Sequence, residues 1–101
     1  MTHEGLRVLV QRRLDQAEQA LKVGTMAFEG GFYGDAINRA YYSMFYGVSA
    51  LLTMKKLETS KHQAAISLFD REFVKTGVFP REMSRSLHAA FDQRLEMDYA
   101  A

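Results

Sequence analysis

The segment DAINRAYYSMFYGVSALL, at positions 35–52, limits the fold of this chain more than any other stretch. Its apolar residues recur at steps of three and four, so on a helix they form one wide stripe: Ala36, Ile37, Ala40, Tyr41, Met44, Phe45, Val48, Leu51 and Leu52. A second face, with Tyr42, Tyr46, Ser49 and Ala50, is also poor in charge. A helix of this kind needs cover on more than one side, which predicts the central helix of a bundle.

Three further helices are predicted around this central one. The first runs from about Glu4 to about Val23, with Gly24 as its stop signal. The central helix begins after a glycine-rich break, with Asp35 as its N-cap, and ends near Lys55.

The two remaining helices fill the second half of the chain. Ser60 and Gln63 have the spacing of a capping box, which predicts a third helix from there to about Lys75, ended by Gly77. Pro80 suits the first turn of a fourth helix, whose apolar stripe contains Met83, Leu87, Ala90, Phe91 and Leu95. With no alternating, strand-like stretch, the prediction is an all-α fold: one domain over residues 1–101, an up-and-down bundle of four main helices.

The amino-acid composition excludes several classes of function. The chain has 101 residues, 13 basic and 12 acidic, so its net charge of +1 provides no overall field to attract nucleic acid. It has no cysteine, which excludes disulfides, thiol catalysis and thiolate metal sites. The sequence has neither a membrane-length apolar run nor a signal-peptide pattern, and we expect a cytoplasmic protein without a membrane contact.

Common catalytic and metal-binding patterns are also missing from the sequence. His3, His62 and His88 are far apart and form no ligand pair, so we predict no metal and no cofactor. Ser43 and Ser49 lie between bulky residues rather than on a glycine-framed turn, which favours helix packing over nucleophilic chemistry.

A polar group near the end of the chain allows two interpretations. Arg94 and Asp98 are four residues apart, which fits a surface ion pair within one helix. Alternatively, Arg94, Asp98 and Tyr99 meet three residues of the central helix in a polar cluster at the centre of the bundle: Asn38, Arg39 and Tyr42. Because the central helix is apolar on two sides, we expect Arg39 and Tyr42 to be mostly buried, with Asp98 or, failing that, Asp35 as the carboxylate partner of Arg39.

The chain resembles a known family in several places. Asn38-Arg39-Ala40-Tyr41-Tyr42-Ser43-Met44-Phe45 resembles the Arg-Ala-Tyr-Tyr-x-Met-Phe signature of HEPN domains. Lys61-His62, Phe73-Val74-Lys75-Thr76-Gly77 and Arg94-x-x-x-Asp98-Tyr99 follow in the expected order and spacing, over about residues 4–99.

This resemblance implies a helical bundle that is commonly dimeric and is often encoded beside a minimal nucleotidyltransferase, with which it forms a toxin–antitoxin pair. Many HEPN proteins are metal-independent ribonucleases whose active motif is an Arg, a polar residue and, a few positions later, a His. Here Arg94 matches the Arg, but Leu95 replaces the polar residue and Tyr99 replaces the His. Family members with Asp-Tyr here usually carry another helix after the Tyr. Either the native chain continues past Ala101, or a partner covers the end of the fourth helix.

We therefore predict a binding and assembly subunit that forms a homodimer, partners a nucleotidyltransferase and contacts a nucleotide or RNA. One alternative is a ribonuclease that uses Arg94, with Tyr99 or His62 as proton donor; a tyrosine has an ordinary pKa near 10, which suits proton transfer at neutral pH poorly. The other is a scaffold without a ligand. For His62, the competing expectation is a first-turn residue that hydrogen-bonds nearby backbone.

Overall fold

The structure is a computed structural model that describes residues 2–99, with side chains up to Met97. It contains four α-helices: α1 (His3–Glu29), α2 (Tyr33–Met54), α3 (His62–Phe69) and α4 (Arg81–Tyr99). A short π-helix, Asp70–Val74, continues directly from α3. Residues 2–99 contain no strand, and the predicted all-α fold is confirmed.

The helix α1 is one and a half turns longer than predicted, because Gly24 does not end it. Gly24 is buried where α1 crosses α2, and a Cβ placed there would lie 3.1 Å from the Cβ of Arg39. The glycine therefore allows the two helices to approach closely. The turn between them uses Gly31, whose φ of 83° lies in the left-handed region that favours glycine. Ser43 joins the pair by donating to the Ala17 carbonyl at 2.8 Å.

The boundaries around α2 and α3 also differ from the prediction. Phe32, not Asp35, occupies the N-cap of α2, and Asp35 lies within its first turn. The predicted capping box is wrong: Lys61 is the N-cap of α3 and provides no side-chain hydrogen bond. The connection instead turns at Lys56, whose φ is 59°. As a result α3 begins at His62, directly against α2.

The third helix is shorter than predicted and changes its winding. The regular α-helix ends at Phe69, and the π-helix replaces the last predicted turn. Gly77, with a φ of 82°, then allows the reversal into α4. Phe79 returns to this end of the bundle, where its N–H donates to the Phe73 carbonyl at 2.8 Å and its ring stacks on Phe69.

The hydrophobic core lies between α2 and the α3–α4 half of the molecule. Its buried members are Tyr41, Phe45, Val48, Leu52, Ala65, Ile66, Phe69, Phe73 and Leu87. The other side of α2 packs against α1. The central position of α2 is therefore as predicted, but α4 contributes less than expected: Met83 is 44% exposed.

Candidate functional site

Four of the predicted polar residues come together around the ring of Tyr42. The guanidinium carbon of Arg39 lies 5.0 Å from the ring centroid, and that of Arg94, on α4, lies 5.4 Å from it. Asn38 orients Arg39, because its Oδ1 accepts hydrogen bonds from Nε at 3.2 Å and from Nη2 at 2.9 Å. Two cations from different helices thus contact one aromatic ring.

The expected burial and pairing of Arg39 were only partly right. Arg39 and Tyr42 are half-buried rather than mostly buried. Among the described side chains, the acceptor for Arg39 is the neutral amide of Asn38, not the exposed carboxylate of Asp35. A half-solvated guanidinium retains part of its hydration and does not need a buried carboxylate. The predicted roles of Asp98 and Tyr99 fall on side chains outside the described part of the structure.

His62 joins this group from the start of α3. Its ring stacks on Phe45 with centroids 4.1 Å apart, and its Nδ1 lies 2.6 Å from the hydroxyl oxygen of Tyr41. The expected hydrogen bond to nearby backbone was therefore wrong: His62 bonds to a side chain 21 residues earlier in the chain. This contact follows from the start of α3 at His62, since a helix capped by Ser60 would begin one residue earlier.

The pKa values of Tyr41 and His62 indicate the charge that each side chain carries at pH 7. Burial raises the pKa of Tyr41 to about 12, although Arg94 acts to lower it, so the phenol stays protonated. Burial, with the positive charge of Arg94, lowers the pKa of His62 below its ordinary value, so the imidazole is neutral at pH 7. The protonated phenol and the neutral imidazole share one hydrogen bond at Nδ1, and its direction depends on which ring nitrogen of His62 carries the proton.

Arg94 connects the two halves of the site. Its guanidinium carbon lies 5.3 Å from the centroid of Tyr41, the ring that contacts His62, in addition to its contact with Tyr42. We call this group the aromatic–cationic cluster, and its members are Asn38, Arg39, Tyr41, Tyr42, Phe45, His62 and Arg94. Its chemistry favours binding: two guanidinium groups attract anions and the rings offer stacking surfaces, while both titrating groups are held in their neutral forms.

Sequence reasoning missed Tyr41 and Phe45 as members of the site. Both fall on the apolar stripe of α2 and were assigned to the core, where they do pack. The available signal was the density of aromatic residues at 41–46, where four of the six positions are Tyr or Phe, since a stripe used only for packing has no need of the tyrosine hydroxyl.

The opposite side of α2 has different chemistry. Successive residues of an α-helix are rotated by about 100°, so Tyr42 and Met44 point in roughly opposite directions. On the Met44 side, grooves of about 490 and 430 Å³ adjoin one another between α1, α2 and α4. We call this surface the apolar face: Leu14, Leu21, Phe28, Tyr33, Ile37, Ala40, Met44, Gly47, Leu51 and Met83.

In the described part of the chain, no three His, Asp or Glu side chains lie close enough together to hold a metal ion. None of the described helices is long and apolar enough to cross a membrane.

Comparison with known proteins places the chain in a family. The sequence model for the HEPN domain matches residues 10–101. A protein of Methanocaldococcus jannaschii named "Putative toxin" is 34% identical over 91% of this chain. Proteins named UPF0332 from Thermotoga maritima and Pyrococcus horikoshii are 47% and 37% identical over 63% and 87% of it.

The chain spans 63%, 48% and 63% of the lengths of these three relatives. No solved structure matches it significantly. The family match covers nearly the whole chain and includes α2, α3 and α4, which carry the aromatic–cationic cluster. This protein therefore belongs to the HEPN domain family.

Proposed function

We propose that this chain, a single HEPN domain over residues 1–101, is the binding and assembly subunit of a two-component system of toxin–antitoxin type. In this role it forms a homodimer and binds a minimal nucleotidyltransferase. The observation that carries the proposal is the apolar face, an exposed hydrophobic surface on a chain of 101 residues.

The size of the apolar face supports an interface. Six of its large side chains are between 40% and 63% exposed: Leu14, Leu21, Phe28, Tyr33, Met44 and Met83. Together they present on the order of 600 Å², at the upper end of the largest patch on a typical monomer. A symmetric pair of such faces would remove on the order of 1,200 Å² from solvent, enough for a stable dimer.

Charge favours pairing through this face rather than through the opposite side. Among the described side chains that line its two grooves, Glu82 is the only charged one. Pairing through the aromatic–cationic cluster would instead bring Arg39 of both copies together, at a cost in like-charge repulsion. The apolar face is therefore compatible with a second copy of itself, and the cluster remains open to an anionic partner or ligand.

The names of relatives support the two-component context. The toxin-named relative from Methanocaldococcus jannaschii aligns with 91% of this chain, and a second protein of that organism with the same kind of name aligns with 98%. A toxin needs a partner that restrains it. The resemblance of this sequence to HEPN domains implies that this partner is a minimal nucleotidyltransferase.

Two measurements test the proposal. Multi-angle light scattering at high micromolar concentration should give the mass of a dimer; a monomer there contradicts the homodimer. A tagged chain, co-expressed with the small nucleotidyltransferase encoded beside its gene, should retain that enzyme through purification. If the nucleotidyltransferase is not retained, or if no such gene is present, the two-component role is contradicted. The remaining alternative is then a scaffold without a ligand.

A second candidate function, a metal-independent ribonuclease, is favoured by one specific observation. His62 lies in the same cluster as Arg94, bridged by Tyr41, so an imidazole does stand near the arginine even though Tyr99 replaces the expected histidine. Against it, His62 is neutral at pH 7 with Nδ1 engaged by Tyr41, which leaves no proton donor matched to that pH.

An RNA degradation assay decides between the two candidates. We expect little or no cleavage by the wild type. Robust cleavage that is lost in Arg94→Ala but kept in Arg85→Ala, an exposed arginine on the same helix, would establish the ribonuclease instead. Additional loss in His62→Ala would identify His62 as the group that moves the proton.

A further inference from the structure

The two ends of the apolar face differ in shape. At one end, beside the turn between α1 and α2, Phe28 and Tyr33 are 63% and 60% exposed. Their rings pack edge to face with centroids 5.5 Å apart, so the pair forms one aromatic projection. At the other end, a groove of about 490 Å³ opens over Gly47, between Leu14 of α1 and Met83 of α4. We call this groove the Gly47 hollow.

Gly47 has no packing role within the described part of this chain. It lies in the interior of α2, where a glycine is less stable than an alanine. A Cβ placed at Gly47 would meet nothing within 4 Å, whereas a Cβ at Gly24 would lie 3.1 Å from that of Arg39. Close helix packing explains Gly24 but not Gly47. A glycine that weakens its own helix beside open apolar space indicates that a group from outside the chain fills this space.

A pocket on the opposite side of α2 is filled in a different way. It has a volume of about 360 Å³ and lies beside Tyr46, and we call it the cluster-side pocket. Two of its wall residues bridge it, because Arg13 donates to Glu58 at 2.8 Å. The Gly47 hollow has mainly apolar walls, so an apolar group is the occupant that would lose least hydration on entering it.

Two-fold symmetry can bring the projection of one copy to the hollow of the other. Along α2, Tyr33 and Gly47 lie seven residues on either side of Ala40, on one stripe of the helix. If two α2 helices cross antiparallel at Ala40, Tyr33 of each copy lies level with Gly47 of the other. Ala40 is small and exposed, which allows the two helices to approach closely.

A parallel arrangement of the same two faces fits less well. It would set the two aromatic projections against each other and leave both hollows facing across empty space, with a loss of packing contacts. Antiparallel helices also place the opposite ends of their dipoles side by side. Shape and helix dipoles therefore favour the antiparallel pair.

The polar groups at the hollow suit a tyrosine in particular. Among the described side chains that line it, the polar ones are Glu82 and Ser86, both on α4. A buried tyrosine hydroxyl usually has a hydrogen-bond partner, and either of these side chains has an oxygen that can accept from it. The ring of Tyr33 would then contact the apolar walls while its hydroxyl reaches the polar edge.

We propose that the homodimer forms by antiparallel crossing of two α2 helices at Ala40, with the Phe28–Tyr33 projection of each copy in the Gly47 hollow of the other. This geometry rests on the homodimer proposed above and specifies which side chains meet in it. Each copy completes the hollow of its partner, so the contact forms twice about the symmetry axis.

Cross-linking of paired cysteine variants tests the geometry, because the chain has no cysteine of its own. Tyr33→Cys and Gly47→Cys are mixed in equal amounts and treated with a short bifunctional maleimide. We expect covalent dimers from the mixture and none from either variant alone, since like positions lie about 21 Å apart in the antiparallel pair. Covalent dimers from Tyr33→Cys alone, or only monomers from the mixture, would overturn the proposal.

Changes of side-chain size provide a second test. Gly47→Leu should weaken dimerisation at least about tenfold, because leucine takes the space of the incoming ring. Adding Tyr33→Ala to the same chain should tighten the dimer again. The control Ala89→Leu, at an exposed site of α4 outside both grooves, should leave the dissociation constant unchanged. Sedimentation velocity measures all three variants, and circular dichroism should show wild-type helix content for Gly47→Leu, whose surroundings within one copy are open.

The outcomes separate this geometry from the proposed function. Light scattering on the wild type decides whether a homodimer exists. A wild-type dimer that is insensitive to Gly47→Leu, or a double variant that dimerises no better than Gly47→Leu alone, overturns the geometry and leaves the homodimer in place. A wild-type monomer contradicts both.

Discussion

The two free sides of α2 show how one helix presents two chemically different surfaces. Towards the apolar face it displays Ala40, Met44 and Leu51, with open space at Gly47. Towards the cluster it displays Tyr42 and Tyr46, half-buried rings in contact with the cluster and its neighbouring pocket. Both sides are poor in acidic residues, and both look hydrophobic in the sequence.

The difference between them lies in what the neighbouring helices add. On the apolar face, α1 and α4 contribute mainly aliphatic and aromatic side chains such as Leu14 and Met83. On the other side, the same two helices contribute Arg13 and Arg94, and α3 contributes His62. Apolar surface without directional groups suits assembly, whereas rings edged by cations and hydrogen-bonding groups suit a specific ligand.

The largest expected effect comes from a charge placed on the apolar face. Met44→Glu should weaken dimerisation at least about 100-fold, equivalent to about 2.7 kcal/mol, because a carboxylate would be buried in an uncharged interface. Sedimentation velocity over a range of concentrations measures the dissociation constant. The control is Val78→Glu, which also replaces an apolar side chain with glutamate but at an exposed site in the loop before α4. It should leave the dissociation constant unchanged. A fully dimeric Met44→Glu protein would place the interface elsewhere.

The next effect tests the close contact that holds α1 against α2. Gly24→Val should lower the free energy of unfolding by about 1–3 kcal/mol, since even a Cβ at this position lies 3.1 Å from that of Arg39. Gly47→Ala provides the contrast: a Cβ there meets nothing within 4 Å, and replacing a mid-helix glycine should stabilise by about 0.5–1 kcal/mol. Urea denaturation of both variants checks the signs. A neutral Gly24→Val change would show that the helices separate easily.

A smaller effect is expected at the hydrogen bond inside the cluster. Tyr41→Phe removes the hydroxyl that is hydrogen-bonded to Nδ1 of His62 at 2.6 Å and should cost about 1 kcal/mol of stability. Ultraviolet titration provides a second readout: the wild type should contain a phenol that ionises at about pH 12, and the variant should lack it. If the spectra of the two proteins match near that pH, Tyr41 is not buried as described.

The smallest effect is the pH dependence contributed by His62. Its pKa in the folded protein is lowered, so its contribution to stability is present above about pH 6.5, the unfolded value. That contribution is lost as the pH falls from 6.5 through the lower folded pKa. Denaturation between pH 7.5 and 5 should therefore show a steeper loss for the wild type than for His62→Gln. His3→Gln, at the exposed start of α1, is the control and should behave as the wild type. Equal slopes in wild type and His62→Gln would contradict the buried neutral imidazole.

The sequence predicted the fold more fully than the site, for physical reasons. Helical spacing reports which residues share a face, and this was sufficient to place α2 at the centre of an all-α bundle. It does not report how closely two helices approach, so Gly24 was taken for a helix end rather than a packing position. It also could not give the direction of the loop before α3, which decides that His62 contacts Tyr41.

The sequence predicted only part of the aromatic–cationic cluster and its surroundings, because helical spacing does not show which side chains of different helices meet. One of the two sequence interpretations grouped Asn38, Arg39, Tyr42 and Arg94, and these four side chains lie close together in the structure. Arg13 gave no signal, because it lies among other charged residues of α1 that alternate with an ordinary apolar stripe. The contact with Glu58, 45 residues away, is visible in the structure and has no counterpart in the sequence pattern.

The central claim, that the two sides of α2 are divided between assembly and binding, is tested most directly by cross-linking. The chain has no cysteine, so a single introduced thiol reports one position without background. Ala40→Cys places a thiol at the middle of the apolar face, and Glu58→Cys places one beside the pocket on the cluster side. With a short bifunctional maleimide, the account predicts covalent dimers from Ala40→Cys and monomers from Glu58→Cys. Covalent dimers from Glu58→Cys, with none from Ala40→Cys, would show that the copies meet through the cluster and would contradict the division.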